Sequence, residues 1–177
     1  MPSGKSHDAI TLILAAPVFA VCMAAGFAPY EIAVGTSGFL FGGLMFGPDL
    51  DTLSVQFSRW SYFRFFWLPY RFFFRHRSRW SHGLIFGTLI RVIYFMGVLT
   101  ISSFAAAYCL AAYVDGDLPN ISQTAAAWQN IGAMIREYIG RNSIAVLFFG
   151  LWLGAASHTL TDLTWSYIKT GRVSEFL

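Results

Sequence analysis

Apolar residues dominate four stretches of the chain, at about 9–27, 31–46, 83–113 and 143–168, with polar or mixed segments between them. A helix that crosses a bilayer needs about 20 predominantly apolar residues. The pattern predicts an all-α protein, a polytopic bundle of about four transmembrane helices. The link Phe27-Ala28-Pro29-Tyr30 leaves room only for a tight turn, so the first two helices are expected to pack antiparallel. The second is short and glycine-rich. Its Gly38 and Gly42, and then Gly43 and Gly47, stand four apart, a spacing that lets backbones approach closely in lipid. The expected partner is the first helix, through Ala15, Ala16 and Ala20. Gly47-Pro48 ends the second helix and delivers Asp49 and Asp51 at the membrane surface.

Two segments break the pattern. Residues 52–81 interleave arginines with phenylalanine, tyrosine and tryptophan, and Pro69 divides them. Such a mixture beside apolar spans is expected to form an interfacial helical elbow, with rings at the headgroup boundary and arginines against lipid phosphates. In a soluble protein it would suggest single-stranded nucleic acid; beside these spans no nucleic-acid partner is expected. Residues 114–142 form a polar connection with an intermittent helical pattern over 124–139, read as a surface helix.

Composition removes the soluble alternative. The 177 residues are 56% hydrophobic, 18% aromatic and 12% charged, where soluble domains carry about 25% charged residues. The length suits one domain, 1–177. Cys22 and Cys109 lie in apolar runs without ligand-type neighbours and are read as small buried hydrophobes. Lys5 ahead of an apolar run imitates a secretory signal, but an uncleaved helix is the expectation because cleavage would discard His7. Lys5, Arg59, Arg64, Arg71, Arg75, Arg77, Arg79, Lys169 and Arg172 fall on the side of the termini, against Arg136 and Arg141 on the other. The positive-inside rule puts the termini and the elbow in the cytoplasm.

On that topology the histidines and three aspartates meet at one level. His7 enters the first span, Asp49 and Asp51 leave the second, and His76 and His82 precede the third. His158 and Asp162 share one face of the fourth, four residues apart. Imidazoles and carboxylates are costly beside an apolar phase unless something binds them. The convergence points to a divalent-metal site. With no cysteine in the set, zinc is favoured, and manganese and iron are the alternatives. Seven donors exceed what one tetrahedral ion takes, so the site holds one ion with supporting partners, or two. Arg91, about two turns inside the third span, is the further functional candidate. Ser81 beside His82 is read as a cap for the third helix, not as a nucleophile.

Four blocks carry a family likeness: Ser3-Gly4-Lys5-Ser6-His7-Asp8, Gly47-Pro48-Asp49-Leu50-Asp51, His76-Arg77-Ser78-Arg79-Trp80-Ser81-His82-Gly83 and Gly154-Ala155-Ala156-Ser157-His158-Thr159-Leu160-Thr161-Asp162. On these the chain resembles the uncharacterised metal-binding membrane proteins common in cyanobacteria. Those proteins look related to the LexA-regulated inner-membrane family of predicted metal-dependent hydrolases. The resemblance leaves out 114–142. It implies that His7, Asp49, Asp51, His76, His82, His158 and Asp162 are the metal-site residues, in a bacterial inner or thylakoid membrane. A looser likeness to zinc-dependent phospholipase C and related nucleases lies in the helical His158-x-x-x-Asp162, as an analogy.

Three functions compete. The first is a metal-dependent hydrolase of a phosphoester or anionic lipid at the cytoplasmic face, with Asp49, Asp51 and Arg91 as catalytic residues. Arg75, Arg77, Arg79 or Arg91 would stabilise developing negative charge. The second is a non-enzymatic, metal-stabilised membrane subunit or assembly factor that docks a protein partner through the 55–75 aromatic segment. Ion transport comes third, because the ligands gather at one face instead of crossing the bilayer.

Overall fold

Ser3 starts the first helix. Its hydroxyl accepts the Ser6 N–H, satisfying one of the amides a helix start leaves over, and α1 runs Gly4–Ala24. This computed structural model describes residues 3–74, 76, 78–114 and 116–171, with the Arg79 side chain left aside. The cap moves the start of α1 well ahead of the expected residue 9, so His7 lies inside the helix and not in front of it. Gly26, at φ 76, takes the left-handed conformation that closes α1. Pro29 then opens α2 (Pro29–Leu44).

A 3₁₀ turn at Pro48–Asp51 leads into α3 (Val55–Arg59), whose first turn is capped by Ser54. A second 3₁₀ segment, Ser61–Trp67, runs into α4 (Leu68–Phe73), with Pro69 in its opening turn. The elbow is thus a set of short helical pieces. After α5 (Arg79–His82) come α6 (Phe86–Tyr113), α7 (Ile121–Tyr138) and α8 (Ser143–Thr170). Among the described residues there is no strand.

Three helices, α1, α6 and α8, are long and apolar enough to cross a membrane. The expected fourth, α2, has 16 residues, a rise of about 24 Å against a hydrocarbon core of about 30 Å. Among the described residues three helices are thus of spanning length, and α2 is short; a count of four is not shown.

The glycines of α2 pack mainly on α8, not on the alanines of α1. A Cβ on Gly42 would lie 2.3 Å from the Leu151 carbonyl oxygen, and one on Gly38 would lie 2.8 Å from that of Leu147. From the other side, a Cβ on Gly150 would meet Gly35 O at 2.3 Å and one on Gly154 would meet Phe39 O at 2.0 Å. Two glycine rows thus bring the backbones of α2 and α8 into direct contact. Gly43 faces α1, where its open side admits Thr11. At the far end Asn142 donates to Glu31 at 2.9 Å, tying the start of α8 to the first turn of α2.

Only part of the elbow is exposed. Trp67 and Tyr70 are fully buried and, with Phe46, Leu50 and Phe57, form the aromatic core. Trp67 stacks on Phe95 of α6 at 5.5 Å between centroids. Tyr62, Phe63, Phe65, Phe72 and Phe73 remain outside. Arg59 and Arg71 also turn inward: Arg59 pairs with Asp8, and Arg71 lies 4.7 Å over the Phe57 ring. Cys22 is half-buried and Cys109 is exposed, both as free thiols.

Candidate metal centre

Five segments bring ligand-type side chains to one place. Helix α1 contributes His7 from its first two turns, and the 3₁₀ turn after α2 contributes Asp49 and Asp51. His76 stands in the connection after α4, His82 ends α5, and α8 supplies His158 and Asp162 one turn apart.

The seven form one connected chain of contacts. His7 Nε2 lies 3.2 Å from Asp162 Oδ1, and its ring stacks on that of His158 at 3.7 Å. His158 Nε2 is 3.6 Å from Asp162 Oδ2 and 3.3 Å from Asp49 Oδ2. The other oxygen of Asp49, Oδ1, is 3.5 Å from His82 Nε2. Asp51 stands behind this second group, with Oδ1 at 2.9 Å from His76 Nδ1 and Oδ2 at 3.6 Å from His82 Nδ1. Two triads, His7–His158–Asp162 and Asp49–His76–His82, each place one donor atom per residue close enough to share an ion.

The donor atoms are underused by the protein itself. His7 Nδ1, Asp49 Oδ1, Asp51 Oδ2, His82 Nε2, His158 Nε2 and both Asp162 oxygens are buried with no hydrogen-bond partner. Leaving one such group unsatisfied costs about 1–3 kcal/mol, and more when it is charged. A bound cation would satisfy such a cluster of seven atoms, and imidazole and carboxylate donors suit a divalent metal. Burial pushes the Asp49 carboxyl up, but the His158 and His82 rings, 3.3 and 3.5 Å from its two oxygens, pull it further down, well below the usual carboxylate range.

Supporting contacts orient these groups. Gln56 Nε2 donates to Gly43 O at 2.7 Å and sits 3.3 Å from His158 Nδ1, on the side of the ring away from Asp49. No sequence pattern singled Gln56 out; one uncharged amide among arginines and rings gives no signal. Ser81 lies inside α5 instead of capping α6, and its Oγ is 3.0 Å from His82 Nδ1. Asp8 points away from the cluster. It receives both terminal nitrogens of Arg59, whose Nη1 also donates to Leu44 O at 2.7 Å.

Arg91 is 2% exposed and fully engaged by the fold. It donates to Phe46 O at 3.1 Å, Ser81 O at 2.6 Å and Thr88 Oγ1 at 3.1 Å. These bonds join the segment carrying Asp49 and Asp51 to the helix carrying His82. Arg75 and Arg77 lie outside the described residues, as does the Arg79 side chain.

Comparisons with known proteins agree with this centre at the level of family. No solved structure matches the chain. An uncharacterized protein of Aquifex aeolicus (strain VF5) is 38% identical over 66 residues, 37% of this chain and 45% of that one. The chain thus spans less than half the length of that relative. The sequence model of a family described as uncharacterized metal-binding protein (DUF2227) matches residues 2–172, and the chain belongs to that family of metal-binding proteins.

Proposed function

We propose that this is a membrane-embedded, metal-dependent hydrolase that acts on a phosphoester at the cytoplasmic face. The observation that carries the reading is Asp49, whose two oxygens face His158 and His82 separately. A carboxylate shared in this way joins two ion-binding triads, the arrangement of two-metal hydrolases. His7, His158 and Asp162 would hold one ion, and His76 and His82 the other. Zinc suits these donors first, with manganese or iron as alternatives. When bound, such ions supply Lewis acidity to water and to a phosphoryl oxygen.

The remaining work belongs to the chain. Asp51 holds His76 through Nδ1, which leaves Nε2 directed elsewhere, and backs His82 on the corresponding side. That makes Asp51 a positioning residue in this reading, not a ligand. Arg91 acts in the same manner, fixing the spacing of the carboxylate turn and α5 through its three hydrogen bonds. His76 is 36% exposed and the Asp49 side chain 21%, whereas the other ligand side chains are closed off. Water therefore enters on the His76–Asp49 side.

One observation favours a second reading. The cluster draws on five separate segments, so an ion there would clamp the fold whether or not it also turned over substrate. A metal-stabilised subunit that docks a partner through the exposed rings of 55–75 is that alternative.

Metal content and turnover separate the two. Purified protein in lipid should carry about two divalent ions per chain. His82→Ala and His158→Ala should each lower that content while the protein still inserts. Full metal content in both variants would remove the metal centre as assigned. Metal-replete protein assayed on phosphomonoesters, phosphodiesters, phospholipids and amides should show activity on a phosphoester that chelation abolishes. Turnover of none of them would transfer the assignment to the structural subunit.

A further inference from the structure

The two triads differ in how many donors the chain supplies and in whether solvent reaches them. In the first, His7 Nε2 lies 3.2 Å from Asp162 Oδ1, and His158 Nε2 lies 3.6 Å from Asp162 Oδ2. Asp49 Oδ2, 3.3 Å from His158 Nε2, brings a fourth residue to that group. Donors held at about 2.0–2.1 Å around a tetrahedral ion stand about 3.3–3.4 Å from one another. The three separations bracket that value, so His7, His158, Asp162 and Asp49 Oδ2 match a complete tetrahedral set. The His7, His158 and Asp162 side chains are buried, and Gln56 covers the Nδ1 side of the His158 ring.

The second group stops at three. His82 Nε2 lies 3.5 Å from Asp49 Oδ1, and His76 places a donor atom within 4.8 Å of the other two residues' donors. Asp51 is not the fourth, because its oxygens are taken up by Nδ1 of His76 at 2.9 Å and Nδ1 of His82 at 3.6 Å. It supports both rings from behind. Among the described residues no further His, Cys, Asp or Glu joins this group. Its His76 is also the ligand side chain most open to solvent. Zinc sites that only hold a fold are closed by four protein donors, whereas those that take an outside ligand keep three and an open position.

We propose that the centre is two unequal sites. His7, His158, Asp162 and Asp49 Oδ2 enclose an ion that stays with the fold. Asp49 Oδ1, His76 and His82 hold an exchangeable ion whose open position takes an oxygen of an oxyanion such as phosphate. The sequence around the open site suits an anion, since residues 52–114 include arginines but no Asp or Glu. This deepens the hydrolase reading by assigning the phosphoryl group to the His76–His82 side, and it rests on the two-ion centre but not on turnover.

Metal exchange reads the difference directly. Full-length protein in lipid is loaded with cobalt(II) and challenged with a chelator. Release should occur in two resolved phases, with about one ion per chain leaving in each. Inorganic phosphate should shift the visible absorption of the fast ion, and the shift should disappear with the fast phase. His76→Ala should lose the fast ion and the phosphate response while keeping the slow ion. Asp162→Asn, which keeps the volume but not the charge, should speed release of the slow ion. Release of both ions in a single phase, or a phosphate shift that survives His76→Ala, overturns the proposal. So does loss of both ions from a His76→Ala protein that retains its helix content; if that variant does not fold, the wild-type phases and phosphate shift decide. Two phases and a phosphate shift without turnover leave the two sites standing and remove only the hydrolase reading. Turnover by a protein whose ions leave together keeps that reading and removes this one.

Discussion

Asp49 decides more than any other side chain described, because both triads meet at its two oxygens. In chelator-treated protein its ionised form is stabilised by His158 and His82. A carboxyl whose folded pKa is depressed contributes stability above its unfolded pKa, about 3.9, and loses it as pH falls further. Asp49→Asn should therefore lower the melting temperature of the metal-free protein at pH 5–6, and the gap to wild type should begin to narrow below about pH 4 and shrink further as pH falls. A gap that widens with acid would contradict the assignment. Arg91→Lys is the second residue-level prediction. A lysine cannot reach three divergent acceptors, and each orphaned buried acceptor costs about 1–3 kcal/mol. Thermal unfolding should show Arg91→Lys nearly as damaged as Arg91→Leu; rescue by lysine would instead make its charge the feature that matters. The histidines and aspartates were legible in the sequence because charge-bearing donors in an apolar chain demand a reason. Gln56 was not, since an amide costs less to bury and sits in a polar-looking segment. The part played by Arg91 was half legible: its depth marked it, while its three acceptors depend on how remote segments fold.

The elements show the same division. Glycines four apart announced that some helix approaches α2 closely. They could not say which, because small alanines on α1 and glycines on α8 satisfy the same spacing rule. The missing signal was the matching pair Gly150 and Gly154, four apart and one turn before His158. With a Cβ at Gly154 falling 2.0 Å from Phe39 O, Gly154→Val should force α2 and α8 apart. A loss of at least about 1–3 kcal/mol is expected from overpacking. Bound metal should fall with it, since Asp49 follows α2 and His158 belongs to α8; normal melting and normal metal content together would contradict the seam. The elbow was legible as short, Pro-punctuated pieces. Its inward face was not, because Trp67 and Tyr70 find their partners Tyr94 and Phe95 on a helix more than 20 residues downstream.

For the molecule as a whole, three bilayer-length helices and a short α2 suggest membrane association, and the proposed orientation rests on the basic residues gathered at the metal end. Cys22 and Cys109 are free, so replacing both gives a background for labelling. A cysteine at Leu118 should react with an impermeant thiol reagent from outside the cell, and one at Lys5 only after permeabilisation. The reverse pattern would invert the topology and place the centre outside. The ligands span the sequence from His7 to Asp162, and this distribution governs the order of events during synthesis. His7 emerges from the ribosome first, and its partners His158 and Asp162 last. The Asp49–His76–His82 triad has all its residues once the chain has been made to residue 82, but the His7–His158–Asp162 triad stays incomplete until α8 has been made. Closure of that triad thus reports on completeness, since a chain that stops short of α8 lacks the His158 and Asp162 half of the centre.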